Sequence, residues 1–239
     1  MKLTGNTILI TGGATGIGFE LAAALAQRGN EVIICGRRAD RLDQAKARVP
    51  QLHTHVADVR DTRALAAWAV AAFPALNVLV NNAGVQHLFD FNTPDFAKAN
   101  EEIAINLLAP IELTAMLLPH LQQQADAAIV NVSSGLGFAP LARMPIYCAT
   151  KAALHSLTMT MRYQLRQTGI RVFEIIPPIV ASELGAAHRP PQMNETAMPA
   201  KTAAELAISA LERDEYESAL GEAASLREKR EALFDVMNR

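Results

Sequence analysis

Short apolar runs rich in β-branched residues, at 7–11, 31–35, 53–57, 77–80, 128–132 and 170–176, alternate with longer segments whose apolar residues return at helical spacing. Few folds accept that rhythm. A strand followed by a helix and then another strand predicts parallel pairing, because a parallel neighbour is reached only by a crossover. Right-handed crossovers then bring the loops that follow the strands to one edge of the sheet. The sequence predicts an α/β fold with a doubly wound parallel sheet and helices on both faces. At 239 residues, half of them hydrophobic and 19% charged, the chain suits a single domain over 1–239. The segment 183–200 carries Gly185, Pro190, Pro191 and Pro199 without a clear period and reads as a lid; 222–239 reads as a charged C-terminal helix.

The first strand run leads into Thr11-Gly12-Gly13-Ala14-Thr15-Gly16-Ile17-Gly18. A turn from strand to helix needs glycine where the chain bends, where backbone approaches a pyrophosphate and where helix meets strand; Gly12, Gly16 and Gly18 suit those roles, with Thr15 and Ile17 in the same loop. The Gly-x-x-x-Gly-x-Gly spacing differs from the common dinucleotide pattern, and a purely structural turn is the duller alternative. The sheet is therefore expected to be Rossmann-like. At the end of the second run stands Cys35-Gly36-Arg37-Arg38, where an acidic residue would bind the ribose 2′-hydroxyl of NAD. Two arginines at the positive end of a helix dipole call for an anion, and a 2′-phosphate supplies one. NADP(H) is thus expected over NAD(H), with NAD(H) possible; two solvated charges are the alternative.

Tyr147 and Lys151 stand one helical turn apart in Tyr147-Cys148-Ala149-Thr150-Lys151, downstream of Ser134. With the glycine loop, Asp58, Asn81-Asn82-Ala83-Gly84 and Asn106, these motifs resemble the main Tyr-x-x-x-Lys subgroup of the short-chain dehydrogenases/reductases over roughly residues 3–182. The runs 30–37 and 147–157 are similar to DltE-type bacterial oxidoreductases. The resemblance implies that Tyr147 is the general acid/base, that Lys151 binds the nicotinamide ribose, that Ser134 bonds the substrate oxygen and that Asn106 joins a water-linked proton relay. It also implies that Asp58 and Val59 meet the adenine, that Asn82, Ala83 and Gly84 line the same pocket, and that Pro177, Ile179, Val180 and Ser182 meet the nicotinamide. Pro178 and Ser182 depart from the glycine and threonine usual there. A free phenol titrates near pH ~10, so phenolate chemistry near neutrality needs about 4 kcal/mol of stabilisation. An ammonium ~4 Å away at an effective dielectric of ~20 supplies about that much.

The expected activity is NADP(H)-dependent interconversion of a carbonyl and a secondary alcohol. A non-catalytic NADP-sensing protein or a lyase or epimerase on the same site remain alternatives. His87, Phe89, Phe138, Leu141 and Met144 suggest a mostly apolar substrate pocket. A net charge of −2 and a pI near 6.3 give no basic surface for nucleic acid. Two cysteines, Cys35 and Cys148, fit a reducing cytoplasm, and neither they nor the histidines show metal-ligand spacing. Pro110 and Pro119 are expected to break the apolar region around Leu107, so no membrane span is predicted. Apolar residues on more than one face of the helices at 104–121 and 147–165 predict a homodimer or homotetramer.

Overall fold

The computed structural model describes residues 1–189 and 195–239. Seven parallel strands form one sheet in the order β3-β2-β1-β4-β5-β6-β9. They are β1 (Thr7–Thr11), β2 (Glu31–Gly36), β3 (His53–Val56), β4 (Leu76–Asn81), β5 (Ala128–Val132), β6 (Arg171–Ile176) and β9 (Glu217–Ala219). A separate parallel pair joins β7 (Val180–Ala181) to β8 (Met198–Pro199). Because helices cover both faces, alternate residues of one strand enter different cores. Ile8 and Ile10 pack with α1 (Gly16–Gln27) and α7 (Ala200–Glu212), whereas Leu9 packs with α3 (Thr62–Ala72), α5 (Ala109–Leu121) and α6 (Pro145–Leu165). The expected alternation is therefore present, and α2 (Ala39–Arg48) completes the first layer.

The region predicted to break at Pro110 and Pro119 does not. α4 (Phe96–Ile103), a π segment (Ala104–Leu108) and α5 run on as one helix. Pro110 falls in the first turn after the π segment, where the hydrogen-bond register has already shifted, and Pro119 falls in the last turn. Pro110 thereby removes a donor where little is lost, and Pro119 does lose a backbone bond but only at the end of the helix, where it interrupts no further turn. This helix, Phe96–Leu121, passes the length and hydropathy test for crossing a bilayer. Leu113, Leu117 and Leu121 are nonetheless in the second core, as in the central helix of a globular domain.

The expected C-terminal helix at 222–239 is instead α8 (Ala223–Lys229), a 3-10 turn (Arg230–Leu233) and α9 (Phe234–Met237). Arg230 has φ +48°, which breaks the helix. The bend lets Asn238 donate to the Pro140 carbonyl and accept from the Ala142 amide, fastening the tail over the loop between β5 and α6. Of the segment 183–200, expected to form a lid, Ala186–His188 forms a 3-10 turn and Met198–Pro199 forms β8; residues 190–194 lie outside the described residues.

A buried polar rail ties the site-bearing elements together. The Asn81 amide donates to Thr114 Oγ1 (3.2 Å) and Asn131 Oδ1 (2.9 Å); Asn131 donates to Thr158 Oγ1 (2.9 Å), which donates to the Leu154 carbonyl. The rail crosses from α5 through β4 and β5 to α6. Asn131→Ala strips both neighbours of a partner in a dry interior, which should cost about 2–3 kcal/mol. Calorimetry should show a melting temperature lowered by roughly 5–10 °C.

Candidate cofactor and catalytic site

The glycine loop is shaped by contact with the turn after β4. Thr11 Oγ1 accepts from the Asn82 and Ala83 amides (3.1 and 3.0 Å), and the Asn82 side-chain amide donates to the Thr11 and Gly12 carbonyls (2.9 and 3.1 Å). Gly12 has φ +65°, and a Cβ there would stand 2.8 Å from Ala83 Cα. A Cβ on Gly18 would meet Asn82 Nδ2 at 2.4 Å and the Gly12 carbonyl at 2.5 Å. Only glycine permits this approach. Above it opens a cavity of about 240 Å³, into which the loop presents Gly12, Thr15, Gly16, Ile17 and Gly18, with Asn82, Ala83, Gly84 and Val59 on its walls. Thr15 stands at the N-cap of α1 without a side-chain capping bond. A backbone cradle at a helix N-terminus fits a pyrophosphate in shape and in polarity.

Arg37 and Arg38 line the same cavity, and each faces a carboxylate brought from elsewhere in the chain. Arg37 meets Glu101 at 3.0 Å, and Glu183 bridges Arg38 at 2.7 Å and Arg41 at 2.8 Å. Arg37 and Arg38 remain about half exposed and Arg41 over a third, so these pairs are weak and exchangeable. Asp58 is not among the residues lining this cavity. Its carboxylate is clasped by Arg60 at 2.5 Å, which holds it below the usual range, while the neighbouring Asp61 caps α3.

A second cavity, of about 310 Å³, shares Ile17, Asn82, Gly84, Ser182 and Leu184 with the first, so the two form one cleft. Ser134, Tyr147, Lys151, Pro177, Ile179 and Val180 all line it. Ser134 Oγ accepts from the Leu136 amide, leaving its proton free for the nearby phenol, which it favours in the ionised form. Ser133 also borders the cavity, but its hydroxyl is committed to Glu174 at 2.5 Å. Asn106, inside the π segment, uses its whole side chain as a brace. Oδ1 accepts from the Val85 amide, and Nδ2 donates to the Val85 carbonyl and to Thr150 Oγ1.

The charges differ from the simple picture of a phenol beside an ammonium. Burial pushes the Tyr147 phenol up to about 12, against the lowering bond with Ser134. Burial pulls Lys151 down to about 8, while Glu174 and then Glu102 raise it. Lys151 Nζ donates to the Val132 carbonyl at 2.9 Å and lies 5.8 Å from the centre of the Tyr147 ring. Desolvation outweighs the ammonium here, so the ligand-free phenol keeps its proton.

Leu141 and Met144 line the second cavity as expected, but His87, Phe89 and Phe138 are not among its lining residues. His87 pairs with Glu101, Phe89 packs edge-on against Phe91 and Phe96, and Phe138 packs edge-on against His155. Their place is taken by Leu226, Leu233 and Met237 of the bent tail. The Cys148 thiol is buried and raised by burial, and His55 stacks on Trp68 at 3.5 Å. Both are packing residues.

A family model described as short chain dehydrogenase matches residues 6–193. Over 197 residues the chain is 52% identical to the uncharacterized oxidoreductase DltE of Bacillus subtilis, covering 80% of this chain and 78% of that one. A short-chain dehydrogenase from Sphingobium yanoikuyae in complex with NADPH superposes with a TM-score of 0.82 at 29% identity, covering 89% of this chain and 87% of that one. One from Burkholderia cenocepacia in complex with NADP shares the fold with a TM-score of 0.84 at 24% identity, over 96% and 94% of the two chains.

Gly12→Ala should drive a methyl group into the Ala83 backbone at a φ that alanine resists. Nucleotide affinity, followed by protein fluorescence, should fall at least tenfold, with a melting temperature several degrees lower. Gly36→Ala, whose Cβ would meet nothing within 4 Å, should melt like the parent.

Proposed function

The chain belongs to the short-chain dehydrogenase family, and from that premise we propose that it is an NADP(H)-dependent oxidoreductase interconverting a carbonyl compound and a secondary alcohol. One observation carries this reading: the Tyr147 phenol, the Lys151 ammonium and the Ser134 hydroxyl line a cavity that continues into the phosphate cradle. NADP(H) held there would supply or accept the hydride. Gly12, Thr15, Gly16, Ile17 and Gly18 would hold its pyrophosphate, Asn82 to Gly84 and Val59 its adenosine half, and Pro177, Ile179, Val180 and Ser182 its nicotinamide end. Asp58 would reach the adenine only by leaving Arg60.

In reduction, Ser134 orients the substrate oxygen and Tyr147, protonated in the ligand-free site, gives it a proton. In oxidation, Tyr147 must first lose that proton, and Lys151 then serves as the counter-charge and binds ribose hydroxyls. Asn106 holds the loop after β4 against α6, so a water relay there would use main-chain groups rather than its side chain. Arg37 and Arg38 would exchange Glu101 and Glu183 for the 2′-phosphate, which supports NADP(H), as does the NADPH in the Sphingobium yanoikuyae relative. Leu136, Leu141, Met144, Leu226, Leu233 and Met237 favour an apolar substrate, with Leu184 and Gly185 of the expected lid on the cavity wall. Exposed Ile103, Leu108, Ile111 and Met116, together with Met159 and Tyr163 on α6, suit pairing of these helices in a homodimer or homotetramer. The two buried free thiols suit the cytoplasm.

Tyr147→Phe should lower turnover at least a thousandfold while leaving NADPH affinity within about twofold, measured by ketone-dependent NADPH absorbance loss and by direct titration. Unchanged turnover would remove the phenol from the chemistry. Arg37→Ala should weaken NADPH binding roughly tenfold and NADH binding little; equal losses would remove the phosphate assignment.

A further inference from the structure

Glu102 is a fully buried carboxyl that the proposed chemistry leaves unused. It lies one helical turn before Asn106, and the two side chains clamp the same loop. Asn106 Oδ1 accepts from the Val85 amide at 2.9 Å, and Glu102 Oε1 accepts from the His87 amide at 2.8 Å. Glu102 Oε2 has no hydrogen-bond partner. An ionised carboxylate with one oxygen empty in a dry interior is costly, whereas a protonated one is not. The helix carrying it packs against α6. The charged and titratable groups facing it are Glu101 on its own helix, His87 on the clamped loop, whose ring pairs with Glu101, and Tyr147, Cys148 and Lys151 on α6.

We propose that Glu102 is a proton-holding positioning residue that sets the charge seen by the Tyr147–Lys151 pair, neutral when Oε2 carries a proton and opposing phenolate formation when it does not. The proposal rests on Tyr147 being the acid/base of the preceding section, but its titration is measurable without turnover. Burial pushes the Glu102 carboxyl up to about 7, with the His87 amide opposing and Glu101 adding. The sign follows from charge. With its phenol and ammonium both protonated, the pair carries +1, and losing one proton takes it to zero. A neighbouring anion disfavours that loss and raises the pair's apparent pKa; an uncharged neighbour does not. Ionised Glu102 therefore keeps the proton on the pair, favouring carbonyl reduction over alcohol oxidation as pH rises through neutrality.

Glu102→Gln keeps an oxygen for the His87 amide and removes the charge. Difference absorbance of tyrosinate, taken against a Tyr147→Phe background, should show the pair titrating lower in the variant by on the order of one pH unit. The pH midpoint of kcat/KM for alcohol oxidation should fall by the same amount. An unchanged or higher midpoint overturns the proposal, even if the protein proves to be a reductase. A lowered tyrosinate midpoint in a protein without reductase activity supports Glu102 and rejects the enzymatic reading instead. Should the glutamine variant not fold, infrared spectra of the unsubstituted protein decide the matter. A protonated carboxyl present at about pH 6 and lost by about pH 8 is expected, and its absence overturns the proposal.

Discussion

The ends of β1 and β4 approach so closely that no side chain fits between them, and the cleft is built outward from that contact. Thr11 and Gly12 on one side and Asn82 and Ala83 on the other share four hydrogen bonds across the gap, and Gly18 lies against the Asn82 side chain. The glycine-loop cradle is the upper surface of this seam. Two residues further on, a Cβ at Gly84 would lie 3.3 Å from Asn106 Oδ1 and 3.8 Å from Lys151 Nζ. The seam that shapes the glycine-loop end of the cleft thus also spaces the Asn106 and Lys151 end. Rigidity over that span matters because a displaced reacting group loses the benefit of preorganisation.

Around this frame the electrostatics are those of a dry interior. Lys151 is buried with a carbonyl as its hydrogen-bond acceptor, and its nearest balancing charges are the buried carboxyls Glu174 and Glu102. Glu174 is itself held by Ser133 and by His155 at 2.8 Å. The two carboxyls therefore have different characters: one is saturated with partners, the other half empty. A phenol, an ammonium and two carboxyls within one electrostatic neighbourhood titrate together, so no single side chain owns the site's pH dependence.

What the chain discloses before folding is whatever depends on local periodicity or short spacing. The strand runs, the glycine loop and the one-turn interval from Tyr147 to Lys151 are of this kind, and the structure brings them to one rim of the sheet. Interactions between distant segments were not legible. Glu101 and Glu183 reach the arginines after β2 across long stretches of chain, and Leu226, Leu233 and Met237 enter the cavity because the tail bends at Arg230. The uninterrupted passage through Pro110 depends on a π segment that composition does not announce. The raised phenol, too, follows from burial, which no spacing rule measures.

Glu183 belongs to two places at once. Its carboxylate stands with Arg38 and Arg41, while Leu184 and Gly185, the residues that follow, wall the second cavity. Any anion that takes these guanidiniums from Glu183 also releases the tether on that wall, and any guest that fixes the wall resists the exchange. Were a nucleotide phosphate to be that anion, thermodynamic reciprocity would make its affinity and that of the guest two readings of one equilibrium at Glu183.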